Sequence, residues 1–134
     1  MDLSLRTDAY QSDSRGWLRS PHGTEPGTTP SIALDLTAAG GFVKATHYPN
    51  GYIRSGVVLG KITASGKYGL YDSAASDGRQ TAVGILFNSE SVRDGQTTAA
   101  NAMLVHGFVE TARLPFPAQV TTPVKTALNL INFS

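Results

Sequence analysis

The sequence predicts a mainly β body of short strands with one short C-terminal helix, preceded by an extended N-terminal arm. Three observations predict it. From Ile32 to Val109 apolar residues come in short runs, several alternating with polar ones, and Gly, Asn and Asp punctuate them. After Pro123 the apolar spacing changes to that of a helix face. From Ser20 to Ser31 there is no Ile, Leu, Val, Met or aromatic residue, while Pro21, Pro26 and Pro30 alternate with Gly23 and Gly27.

The arm and linker take residues 1–31, and the body takes 32–134. Each linker proline fixes its own φ and pushes its predecessor toward extended geometry. Such a segment has no apolar surface to bury against its ordering entropy. Before it stand Leu3, Leu5, Tyr10, Trp17 and Leu18, without a sustained helical or strand period. Two readings of Trp17 are open. A large aromatic on an arm anchors well against a partner, and an extended arm can add a strand to a neighbour's sheet. Alternatively, Trp17 folds back on its own body.

In the body, Ile32, Leu34 and Leu36 alternate with Ala33 and Asp35, which predicts a half-buried strand. Phe42–Ala45 predicts another. Pro49-Asn50-Gly51 is a turn, because Asn and Gly tolerate positive φ. Val57–Ile62 and Tyr68–Tyr71 flank Ser65-Gly66-Lys67 as a hairpin. Asp77-Gly78 turns the chain into a strand over Thr81–Phe87, and Asp94-Gly95 precedes Ala102–Val109, expected as a single central strand. Gly84 and Gly107 inside these runs predict bulges or close backbone approaches. Thr122 is the expected N-cap and Pro123 the first helical position, with Val124, Ala127, Leu128 and Ile131 on one face.

Composition narrows the function classes. The chain has 134 residues, a formal net charge of +1 and no cysteine. The length suits one domain, and a chain of this size buries about two thirds of its unfolded surface. Without cysteine there is no disulfide scaffold, thiolate metal site or cysteine nucleophile. The near-neutral balance argues against nucleic acid or an anionic membrane as principal partner. No apolar run approaches the roughly 18–20 residues of a membrane span. Met1–Arg6 lacks the basic-then-apolar order of a signal peptide. Charged residues make up 16% of the chain, against about a quarter in an ordinary soluble domain. That shortage favours a protein whose surface is covered in an oligomer or assembly.

The residues make a weak case for an enzyme. His22, His47 and His106 have no His or carboxylate partner at strand spacing, so no metal site is expected, and no Gly-x-Ser-x-Gly occurs. Asp72–Gly78 lacks the alternating ligands and closing Glu of a calcium loop. Gly56–Lys61 resembles a P-loop fragment, but Ile62 stands where the hydroxyl is needed, so it reads as a strand. Glu90, Asp94 and Glu110 are the carboxylate pool for a glycosidase, each in ordinary turn or strand surroundings. Lys and Arg are never adjacent and have no interleaved aromatics. No catalytic residue, cofactor or metal is expected.

One ordered set of segments carries a family resemblance. His47–Lys61, Ser65–Tyr68, Tyr71-Asp72, Asp77–Arg79, Ala82–Leu86 and Val105–Val109 together resemble the head decoration proteins of tailed bacteriophages, the lambda-type capsid-stabilising family. The likeness extends over residues 32–131, and the longer arm is similar to that of relatives from phages of actinobacteria. The resemblance implies a compact β-tulip body, grouped with β-clip folds. It implies homotrimers at three-fold and quasi-three-fold positions on the outside of an expanded icosahedral capsid, made in the bacterial host cytoplasm. There they bind the major capsid protein and brace the shell against packaged DNA. Carried onto this chain, the capsid-binding arm residues are Leu3, Leu5, Tyr10, Trp17 and Leu18. The family carries no catalytic residues. Two alternatives stand beside it. One is a trimeric dUTP pyrophosphatase-like β-clip enzyme, against which the absence of any glycine after Gly107 counts heavily. The other is a virion-displayed carbohydrate-binding module using Tyr48, Tyr52, Tyr68 and Tyr71.

Overall fold

A computed structural model describes residues 15–21, 24, 29–93 and 95–134. Its centre is a closed five-stranded barrel of β1 (Ser31–Asp35), β4 (Tyr68–Leu70), β3 (Val58–Lys61), β5 (Ala82–Leu86) and β7 (Thr98–Leu104), neighbours in that order. β7 closes on β1 in antiparallel register from Ser31 opposite Ala102 to Asp35 opposite Thr98, whereas β1 and β4 run parallel. Two small sheets flank the barrel. β2 (Tyr52–Ile53) pairs antiparallel with β6 (Glu90–Ser91), and β8 (Gly107–Val109) pairs in parallel with β9 (Ile131–Phe133). The mainly β body expected from the sequence is what the chain forms.

Strand periodicity divides the apolar residues into two cores. Leu34, Leu59, Leu70, Leu86 and Met103 come from all five barrel strands and fill the interior together with Phe42 and Ile53. Their neighbours Val58, Ile85 and Leu104 point the other way, into a second core outside the barrel. Val109, Val124, Leu128, Ile131 and Trp17 cover that outer face. β3 and β5 are thus buried on both faces, which explains their near-continuous apolar runs.

The expected turns form where glycine permits them. Gly66 takes φ 73° between β3 and β4, and Gly78 takes φ 116° ahead of β5. Gly84 is the close approach its position suggested. A Cβ there would lie 2.3 Å from the Met103 Cγ.

Three expectations are corrected. Phe42–Ala45 is not a strand: Phe42 is buried in the barrel core and Lys44–His47 forms a one-turn helix, α1. The His47 ring folds back so that Nδ1 accepts the Val43 N–H at 2.8 Å, taking the donor that a sheet partner would have used. Ala102–Val109 is not one strand. β7 ends at Leu104, the chain leaves the barrel at Val105-His106, and β8 begins at Gly107 to pair elsewhere. The terminal helix, α2 (Thr122–Ala127), follows Thr121 as its flanking residue, one position earlier than expected. Val124 and Leu128 face the second core, but Ala127 is exposed. Ile131 reaches the same core from β9, because pairing with β8 satisfies backbone groups that a further helical turn would have used.

Candidate functional site

The N-terminal segment is where a capsid-binding role was expected, and its described part is built into the body. Trp17 is 2% exposed within the second core, and its Nε1 donates to Ser55 Oγ at 3.3 Å. Gly56, at φ 100°, leaves room for the indole, since a Cβ there would sit 2.9 Å from Trp17 Nε1. The backbone follows β8. Glu110 N donates to Trp17 O at 2.7 Å, Arg19 N donates to Phe108 O at 3.0 Å, and Leu18 bridges Val109 antiparallel. Side chains hold both ends of this segment. Arg15 Nε donates to Phe87 O at 2.8 Å, its guanidinium lies 4.2 Å from the Phe87 ring centroid, and a further N–H reaches Asn88 Oδ1. Arg19 donates to Ser134 Oγ at 2.7 Å.

Of the two places open to Trp17, the structure therefore shows the chain's own body. Leu18 is half-buried against the same core. Leu3, Leu5 and Tyr10 lie outside the described residues. The physical reason is area: an indole buries far more apolar surface than any other side chain in this segment.

Beside Trp17 opens a cleft of about 470 Å³, lined among others by His47, Tyr52, Arg54, Ser55, Arg113 and Phe116. Arg54 and Arg113 are exposed, and Arg113 Nε lies 3.2 Å from Glu110 Oε2. His47 packs edge-on against Phe42 and Phe116, with ring centroids 6.2 and 5.4 Å away. Because Nδ1 accepts an N–H, the neutral ring carries its proton on Nε2. Burial pushes the His47 pKa below its ordinary value. The folded state thus disfavours the imidazolium, so stability is expected to fall as pH drops below about 6.5, levelling off below the folded-state pKa. Urea midpoints measured between pH 7.5 and 5 should show this slope. His47→Gln, whose amide oxygen can still accept from Val43, should lose that part of it; an unchanged slope would assign it to another group.

The other residues singled out for chemistry are dispersed. Glu90 accepts from Asn101 Nδ2 at 2.9 Å, and burial raises its pKa. Glu110 pairs with Arg113, while Asp94 and His22 lie outside the described residues. Asp72 Oδ1 accepts the Ala74 N–H at 3.0 Å, and the Asp77 carboxylate holds Arg79 Nε at 3.1 Å, which are turn-forming contacts. His106 is half-buried between β7 and β8. Among the described residues no three His, Asp or Glu side chains converge on a point. The four tyrosines do not share one role: Tyr48 and Tyr68 pack on the barrel core, Tyr71 on the second core, and Tyr52 lines the cleft. Sequence reasoning missed the cleft. Arg54 and Arg113 are far apart along the chain, and no local spacing relates them.

No curated protein and no solved structure matches the chain. Residues 35–130, well over half of it, match the family of the bacteriophage lambda head decoration protein D. The matched stretch runs from the end of β1 to the residue before β9, so it covers most of the barrel and the cleft lining from Thr46 to Phe116, while the segment bearing Trp17 lies before it. Spanning that body, the match agrees with the ordered segments from His47 to Val109 and with the β-rich fold. The chain belongs to the bacteriophage lambda head decoration protein D family, structural proteins of the phage capsid.

Proposed function

We propose that the protein binds the outer surface of the expanded icosahedral capsid as a homotrimer and cements neighbouring major capsid protein subunits against internal DNA pressure. The observation that carries this reading is the family match across the barrel. The sites are the three-fold and quasi-three-fold positions. Exposed Phe108 on β8 and Leu130 beside β9, 39% and 62% exposed, supply apolar surface for subunit or shell contacts. Residues 1–14 precede a root fixed at Arg15, and their Leu3, Leu5 and Tyr10 are the proposed arm contacts. Three arms on one trimer make later contacts effectively intramolecular, so weak single contacts accumulate. A site assembled from several capsid subunits exists only in the expanded lattice, so maturation selects binding. In this role the protein is not an enzyme.

The test is co-sedimentation with expanded and unexpanded capsids, alongside sedimentation equilibrium of the free protein. The full chain should bind expanded capsids only and assemble as trimers. Removing residues 1–14 should weaken capsid binding by about tenfold or more, the scale of avidity lost with each arm, while leaving the circular dichroism spectrum unchanged. Truncation at residue 31 is the wrong variant, because it also removes Trp17 from the core. Equal binding to both capsid states would overturn the maturation argument, and unchanged binding after truncation would remove the arm from it. Release of pyrophosphate from dUTP with magnesium would replace the structural reading with the enzymatic one.

A further inference from the structure

We infer that the cleft beside Trp17 is a docking site for an acidic, extended segment of a partner polypeptide. The inference deepens the capsid-binding reading and rests on it for the source of that segment. Three features of the cleft point to such a ligand. Its rim carries two guanidiniums, Arg54 and Arg113, and among the described residues lining it none is Asp or Glu. Arg54 makes no ion pair among the described residues. Arg113 meets Glu110 through Nε in an exposed pair, which holds the side chain weakly and leaves its other N–H donors available.

The second feature is local concentration of charge. Among the described residues the lining holds two cations and no carboxylate, and Glu110, which pairs with Arg113, stands outside it, so the excess positive charge at the rim rests mainly on Arg54. A paired carboxylate and guanidinium form short, directional hydrogen bonds, and arginine clusters are a recurring means of holding acidic segments. The third is the cleft's mixed lining. Trp17, Pro115 and Phe116 give it apolar walls, and the Tyr52 and Ser55 hydroxyls lie beside them. A free small anion would use the cations alone. A peptide with carboxylates next to apolar side chains uses both parts. At about 470 Å³ the space falls in the range of ligand-sized clefts.

Trp17 makes the site measurable, because it is the chain's one tryptophan and it lines the cleft. The full chain is titrated with an acetylated, amidated peptide of alternating Asp and Leu, and with the same peptide carrying Lys for Asp. The acidic peptide should change Trp17 emission saturably, with an affinity that falls as salt rises. The basic peptide should not. Arg54→Gln and Arg113→Gln, both at exposed positions, should each weaken the acidic peptide by about fivefold, the upper end for an exposed charge pair. No saturable response, equal response to both peptides, or unaltered affinity in both variants would overturn the proposal. A response that emerges only after residues 1–14 are removed would also overturn it, assigning the cleft to Asp2, Asp8 or Asp13 of this chain. Loss of the peptide response with capsid co-sedimentation intact sinks the cleft alone. A peptide response without capsid binding supports the cleft and sinks the capsid reading.

Discussion

Trp17→Ala is expected to cost about 3–5 kcal/mol of folding stability, the range for deleting a buried large aromatic. The indole is 2% exposed and packs in the core that includes Val58, Ile85, Leu104 and Val109. Removing it opens a cavity against rigid strands, because Val58, Ile85 and Leu104 also belong to the barrel wall and cannot move inward. It also leaves the segment held by backbone bonds to Phe108 and Glu110 and by the Arg15 and Arg19 contacts. Trp17→Phe should cost less than the alanine, losing the Ser55 hydrogen bond and part of the ring. Leu18→Ala, at a half-buried position, should cost about 1–2 kcal/mol. Because the alanine variant has no tryptophan, urea unfolding is followed by far-ultraviolet circular dichroism. A Trp17→Ala protein within 0.5 kcal/mol or so of the parent, the scatter of ordinary surface substitutions, would mean that the indole does not anchor this segment.

This expectation separates two roles that one residue type suggests. In a sequence, a tryptophan ahead of a Pro/Gly linker has no neighbours to define its environment. Its partner surface here is made by Ser55, Gly56, Val109 and Leu114, which come together only when the barrel closes. Weak capsid binding by a Trp17 variant therefore reports folding first, and substitutions at Leu3, Leu5 or Tyr10 are the cleaner probes of an arm.

How far the fold was legible depends on whether the determining interaction is local. Asn50-Gly51, Ser65-Gly66 and Asp77-Gly78 turn the chain by their own backbone preferences, and all three glycines have positive φ. The alternation in β1 was readable because its Ile32 and Leu34 face one interior while Ser31 is exposed. The errors fall mostly where a distant group decides. One is local: His47, only four residues on, accepts the Val43 N–H in a helical turn where Phe42–Ala45 reads as a strand; the others are long-range. β9 exists because β8 lies alongside it, twenty-odd residues earlier in the chain. Helical spacing rightly directed Ile131 into a core but could not distinguish a helix from a strand that delivers it there. The cleft has the same origin: its guanidiniums come from the turn after β2 and from the 3-10 turn at Thr111–Arg113, which meet only through the packing of the second core.

Gly60→Ala is expected to cost more than about 3 kcal/mol, or to abolish the folded state, at the upper end for overpacking. Gly60 lies on β3 where the register with β5 shifts, opposite Gly69 on one side and Ala82 on the other. A Cβ there would stand 2.6 Å from the Arg79 Cα and 2.7 Å from its carbonyl oxygen. Both are backbone atoms, so no flexible side-chain end can move aside. The Arg79 backbone is itself held, its carbonyl accepting from Asp72 N at 3.1 Å and its side chain reaching Asp77 at 3.1 Å and Leu70 O at 3.3 Å. Displacing it breaks those bonds as well, at about 1 kcal/mol net each. Gly66→Ala is the control. Gly66 has φ 73° and nothing within 4 Å of an added Cβ, so its cost is confined to the left-handed backbone, about 1–2 kcal/mol. Urea unfolding of the two variants should therefore differ by at least about twofold in the stability lost, with Gly60→Ala the worse, as overpacking against fixed backbone requires. Equal losses would mean that the β4–β5 loop yields freely and that the barrel is not closed by backbone contact at this point.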